Sequence, residues 1–192
     1  MADCETDFSE MTYKLHRTVV LVGMMGSGKS AVGRALAERL AVPMMDSDAE
    51  IETAARQSIA EIFDRDGEAF FRDREAEVID RLLSGAPCIL STGGGAFMAE
   101  RNRTAIHDKG VSVFLNGSLE TLWERVRHKD TRPLLRTADP RQTLSDLLDK
   151  RQPVYELADL TVETRLDYEI EQTMDLVIQA LLTRPDVLEA TP

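Results

Sequence analysis

Thr18–Ser30 reads TVVLVGMMGSGKS, a β-branched apolar run that breaks into glycines and ends on Lys-Ser. Thr18–Val22 has strand chemistry. From Gly23 the residues fit G-x-x-x-x-G-K-S/T at every position. Ser30–Leu40 then places Val32, Leu36 and Leu40 at helical spacing among Arg34, Glu38 and Arg39. A glycine loop between strand and helix lets successive N–H groups converge on phosphate oxygens at the positive end of a helix. Gly26, Ser27, Gly28, Lys29, Ser30 and Ala31 are therefore the expected nucleotide cradle. Lys29 would reach the β- and γ-phosphates, and the Ser30 hydroxyl would be a Mg2+ ligand. The bland alternative is a turn that merely joins strand to helix. The motif points to nucleotide binding and leaves its use open, because switches, motors and kinases share it.

The totals narrow that use. A chain of 192 residues fits one domain. With 43% hydrophobic and 30% charged residues it has enough apolar material for a core. The net charge of -11 and the absence of a Lys/Arg run argue against nucleic acid and anionic membrane as partners. No apolar run approaches the roughly 20 residues that span a bilayer. The start, MADCETDFSEMTYKLHR, has neither signal-peptide nor transit-peptide character. Cys4 and Cys88 have no metal spacing and read as free thiols, which implies a cytoplasmic protein. His16, His107 and His128 are scattered, and nothing in the pattern argues for an oligomer, so a monomer is expected.

Further strands are expected at Pro43–Asp46, Cys88–Ser91, Val111–Leu115 and Leu160–Thr164. Helices are expected between them, with Ser58 and Glu61 as a capping box, an interruption at Gly67, and a helix over residues 141–151. Five strands alternating with helices imply an α/β fold: a three-layer αβα sandwich around a parallel sheet, with ligands at the strands' carboxyl ends. Residues 1–16 read as a flexible extension, 17–183 as the domain and 184–192 as a frayed tail. A substrate-binding helical segment spans about 47–83, and a polar, basic lid about 128–140.

A triphosphate site of this kind needs a carboxylate near its metal. The strand at Cys88–Ser91 ends in Thr92 and glycines, so the acid must come from elsewhere. Asp46-Ser47-Asp48 follows the second strand, and alternation puts both acids on one side. One can hold Mg2+ through water, and the other can accept or orient a hydroxyl proton. The competing reading makes them helix N-cap residues.

Four more segments follow in order: Gly67-Glu68-Ala69-Phe70-Phe71-Arg72-Asp73-Arg74-Glu75, then Ser91-Thr92-Gly93-Gly94-Gly95, Arg132-Pro133-Leu134-Leu135 and Arg151-Gln152-Pro153-Val154-Tyr155. With the phosphate loop and Asp46-Ser47-Asp48, the set resembles the shikimate kinase family over roughly residues 17–180. The resemblance implies a P-loop fold like that of nucleoside monophosphate kinases. It also implies transfer of the γ-phosphoryl of ATP to the 3-hydroxyl of shikimate, a step toward chorismate and aromatic amino acids. By matching position it implies that Asp46 holds Mg2+ through water and that Asp48 binds the acceptor and serves as base. Arg72 and Arg151 would clamp the acceptor carboxylate beside the Gly94 and Gly95 N–H groups, while Phe63 and Phe71 line the ring. Glu75 would hold Arg72, Arg125 would stack on adenine, and Arg132 in the lid would reach the transferring phosphate.

Guanidinium forks suit a carboxylate, and a closing lid suits a reaction in which water competes. Taken singly, each Arg could be a solvated surface charge. Ala31 departs from the family's usual Thr, which removes one side-chain contact to the α-phosphate. A small kinase acting on gluconate or a nucleoside monophosphate stays open as an alternative, as does an ATP-binding sensor without turnover.

Overall fold

The computed structural model describes residues 11–128 and 133–191. In chain order the elements are β1 (Thr12–Leu15), β2 (Thr18–Val22), α1 (Lys29–Arg39), β3 (Met44–Asp46), α2 (Ser47–Ala55) and α3 (Ile59–Leu83). They continue with β4 (Ile89–Ser91), α4 (Glu100–Lys109), β5 (Gly110–Gly117), α5 (Leu119–Val126) and α6 (Pro140–Tyr155). The chain ends with β6 (Leu160–Thr164), α7 (Ile170–Leu182) and β7 (Leu188–Thr191).

Five strands form a parallel sheet in the order β3-β4-β2-β5-β6. From β2 the chain moves out to β3, returns through β4, and then crosses to β5 on the other side of β2. That reversal leaves a crevice at the carboxyl edge. Register aligns the functional segments there: Ser91 pairs with both Leu21 and Asp46. The phosphate loop, the glycine loop and the acidic pair thus leave three adjacent strands at the same level.

Alternation along β2 builds the two cores. Val19 and Leu21 pack with Leu36, Val177 and Ile178 on the face covered by α1 and α7. Val20 and Val22 pack with Ile79, Leu90, Phe114 and Tyr155 on the other face. All of β2 is buried, as a central parallel strand covered on both sides requires. Each such side chain contributes about 1.5–3 kcal/mol relative to an exposed one.

Local signals hold where expected. Ser58 and Glu61 form the capping box of α3, and Gly67 kinks that helix at φ 82. Two expectations need correction. The termini, expected as a flexible extension over 1–16 and a frayed tail over 184–192, instead supply β1 and β7, which pair antiparallel, with His16 N–H donating to Val187 O at 2.8 Å. Val187 and Leu188 are buried in the core, which is what fixes the ribbon. The helix expected to stop at residue 151 runs on through Pro153 to Tyr155. One hydrogen bond forgone near a helix end is offset by the burial of Tyr155, which is 0% exposed.

Candidate active site

The phosphate loop turns on Gly23, Gly26 and Gly28, all at positive φ. A side chain at Gly26 would also meet Val126 Cγ1 at 2.8 Å and Leu122 O at 3.0 Å, so α5 presses the loop from behind. Helix α1 starts immediately after Gly28 and has no side-chain cap. Lys29 Nζ donates to Gly23 O at 2.8 Å and to Met24 O at 3.0 Å, which tethers the ammonium within its own loop.

This loop opens onto a cleft of about 890 Å³. Gly26, Ser27, Gly28, Lys29, Ser30 and Ala31 line it together with Asp46, Asp48, Gly94 and Arg125. The two acids differ in environment. Asp46 Oδ1 accepts from the N–H groups of Asp48 at 3.0 Å and Ala49 at 3.3 Å, capping α2. Asp46 thus caps α2, as the competing reading has it, and also lines the cleft, whereas Asp48 sits in the first turn of that helix rather than on the extended segment expected from alternation. Asp48 is pushed up to about 6, first by burial and then by Asp46 and Glu75; Lys29 opposes the shift. The place expected for an acid after β4 is taken by Gly93, where a Cβ would stand 2.8 Å from Asp48 Oδ1. Only a residue without a side chain lets that carboxylate sit there.

The next two glycines meet two arginines from different helices. A Cβ at Gly95 would lie 2.8 Å from Arg72 Nη2, and one at Gly94 3.4 Å from Arg151 Nη1. Arg72, on α3, donates to Glu75 Oε2 at 2.8 Å. Burial raises the Glu75 pKa, while its bond to Arg72 lowers it. Arg151, on α6, donates to Gly94 O at 3.3 Å. The Phe63 and Phe71 rings lie 4.7 Å apart, tilted by 36°, and the Arg72 guanidinium lies over Phe71, 5.0 Å from its ring centre. Phe63, Phe71, Arg72, Gly95 and Arg151 flank the cleft rather than line it. Arg132 lies outside the described residues.

At the far end, Arg125 donates to Arg165 O at 2.7 Å, and burial lowers its pKa. Leu166, Tyr168 and Ile170 line the cleft beside it. Leu166 and Ile170 are large apolar residues exposed at 57% and 45%. This wall was missed in the sequence, because a loop between a strand and a helix has no periodicity to read. Gly93 and Tyr155 were also missed as site residues. Tyr155 lies one helical turn after Arg151, and that spacing could have suggested a shared face.

The arrangement offers a phosphate cradle, a half-buried carboxylate beside it and two guanidinium groups beyond. Comparison with known proteins agrees. The family model described as shikimate kinase matches residues 25–182. A shikimate kinase of Ruegeria pomeroyi is 68% identical over 91% of this chain and 90% of its own. One of Cereibacter sphaeroides is 60% identical over 95% of this chain and 92% of its own. Among solved structures, shikimate kinase from Acinetobacter baumannii in complex with shikimate superposes with a TM-score of 0.81 at 39% identity, covering 87% of this chain and 93% of that one. A gluconokinase of Sinorhizobium meliloti, at 20% identity and a TM-score of 0.56, shares the fold.

Proposed function

The chain belongs to the shikimate kinase family, and we propose from that premise how its residues carry the γ-phosphoryl of ATP to the 3-hydroxyl of shikimate, giving 3-phosphoshikimate and ADP. One observation carries the acceptor assignment: Arg72 and Arg151, from different helices, converge on adjacent glycines of one loop. Two guanidinium groups one peptide apart suit a carboxylate, which accepts paired N–H bonds. The paired Phe63 and Phe71 rings give the ring of the acceptor an apolar wall.

Asp48 lies between this acceptor half and the phosphate loop. With a pKa of about 6 it is mostly ionised at neutral pH and basic enough to take or orient the hydroxyl proton. Lys29 and the N–H groups of the phosphate loop hold the β- and γ-phosphates. Arg125, facing Leu166 and Ile170, holds the adenine ring. Arg132 is assigned to the transferring phosphoryl, where a fixed positive charge counts most as charge redistributes.

Mg2+ fits the oxygen donors present, the Ser30 hydroxyl and the Asp46 carboxylate, whose Oδ1 is engaged by the α2 cap. No cluster of three or more His, Cys, Asp or Glu residues occurs among the described residues, so the phosphates and water would complete the shell. When bound, the ion neutralises phosphate charge.

No helix among the described residues is long and apolar enough to cross a membrane. A cytoplasmic monomer acting on small molecules, with no nucleic-acid partner, accords with the charge and cysteine content. Residues 17–183 would act as one kinase domain together with the β1–β7 ribbon that shares their core, with 128–140 as the lid. Product identification tests the reaction. After incubation with ATP, Mg2+ and shikimate, phosphorus NMR should show one new monoester coupled to the C3 proton. An ester at another hydroxyl would contradict the assigned geometry.

A further inference from the structure

Tyr155 is 0% exposed, and its hydroxyl has specific partners. It donates to Gly94 O, the carbonyl that also accepts from Arg151 Nη1, and it lies 3.9 Å from Met24 Sδ in the phosphate loop. Its ring stacks on Phe114 at 5.2 Å and 22°. Burial raises its pKa, so it stays a proton-bearing donor.

We propose that Tyr155 is a positioning residue for the acceptor: its hydroxyl, with Arg151, fixes the Gly94 carbonyl and so aims both the Gly94–Gly95 peptide and the Arg151 guanidinium. The geometry follows from the planar trans peptide, in which C=O and the following N–H point in opposite directions. Two donors from α6 draw the Gly94 carbonyl toward that helix. The Gly95 N–H must then point away from α6, and a Cβ at Gly95 would meet the Arg72 guanidinium. Sharing one carbonyl also limits where the Arg151 guanidinium can swing. Without the hydroxyl, that peptide could rotate and Arg151 would lose a fixed reference. This inference rests on shikimate being the acceptor, and it adds a residue that does not itself touch the substrate.

The test is Tyr155→Phe, which keeps the ring and its stack and removes one oxygen. Its steady-state kinetics are measured against ATP and shikimate separately, beside its melting temperature. Losing one hydrogen bond that orients a binding loop should raise the shikimate KM roughly three- to ten-fold. The ATP KM should stay within about two-fold. Phe114→Leu is the packing control: it loosens the stack, spares the hydroxyl and should lower the melting temperature without the KM split. Unchanged KM values, equal rises in both, the same split in Phe114→Leu, or a Tyr155→Phe chain that fails to fold would each overturn the proposal. Wild-type protein inert toward shikimate would instead refute the acceptor assignment beneath it.

Discussion

The Arg72 guanidinium donates at 2.8 Å to the Glu75 carboxylate, and the Glu75 side chain is only 1% exposed. A carboxylate this buried costs stability unless it is paired, so its value here is orientation. It holds in place the Arg72 cation, proposed above to meet the acceptor, which would otherwise sample many rotamers. Glu75→Gln keeps the shape and removes the charge, and charge-assisted bonds are roughly twice as strong as neutral ones. The shikimate KM should rise about ten-fold while the ATP KM holds, a difference of about 1.4 kcal/mol. Separate titrations of the two substrates check it.

Gly95→Ala tests the same arginine from the other side. The backbone there has φ -94, which alanine adopts freely, so folding should be spared. The added Cβ would stand 2.8 Å from Arg72 Nη2, the movable end of a flexible side chain. Arg72 should shift, with a melting temperature close to wild type and acceptor binding weakened about ten-fold or more. Calorimetric titration with shikimate measures both points.

Asp48 should make stability depend on pH. Its folded pKa is about 6, above the ordinary 3.8. Between those values the folded chain keeps a proton that the unfolded chain has released. Stability therefore falls as pH rises through this window and levels off above about 6. Asp48→Asn removes the penalty and should be more stable than wild type at pH 8 by about 1–3 kcal/mol, with turnover reduced about 100-fold or more. Urea unfolding at pH 4 and pH 8 reads the difference, which should be largest at pH 8.

Much of this site was legible because it is local. The phosphate loop, the Asp46-Ser47-Asp48 turn and the Ser58–Glu61 box are each set by a few adjacent residues. What was not legible depends on distant partners. Strand β1 exists because β7 pairs with it from the other end of the chain, with Thr12 opposite Thr191. The helical reading stops at residue 151, but tertiary burial of Tyr155 carries α6 on through Pro153. The Leu166–Ile170 wall gains meaning only when β6 sets it against Arg125. Gly93 could be read as a close approach, yet its partner Asp48 is one strand away in the sheet.

The terminal ribbon should contribute to stability. Leu188 is 1% exposed and belongs to the core under α1 and α7. Leu188→Ala should cost about 2–5 kcal/mol while leaving both KM values unchanged, since the residue lies away from the cleft. Urea unfolding beside steady-state kinetics separates the two effects.

The most direct measurement is ADP release by the wild-type protein with ATP and Mg2+ and, in parallel, shikimate, quinate, gluconate or AMP as acceptor. The account predicts rapid release with shikimate, far slower release with the others, and loss of the shikimate signal in Arg72→Ala at subsaturating acceptor. Release with shikimate no faster than with buffer, or faster release with gluconate or AMP, would contradict it.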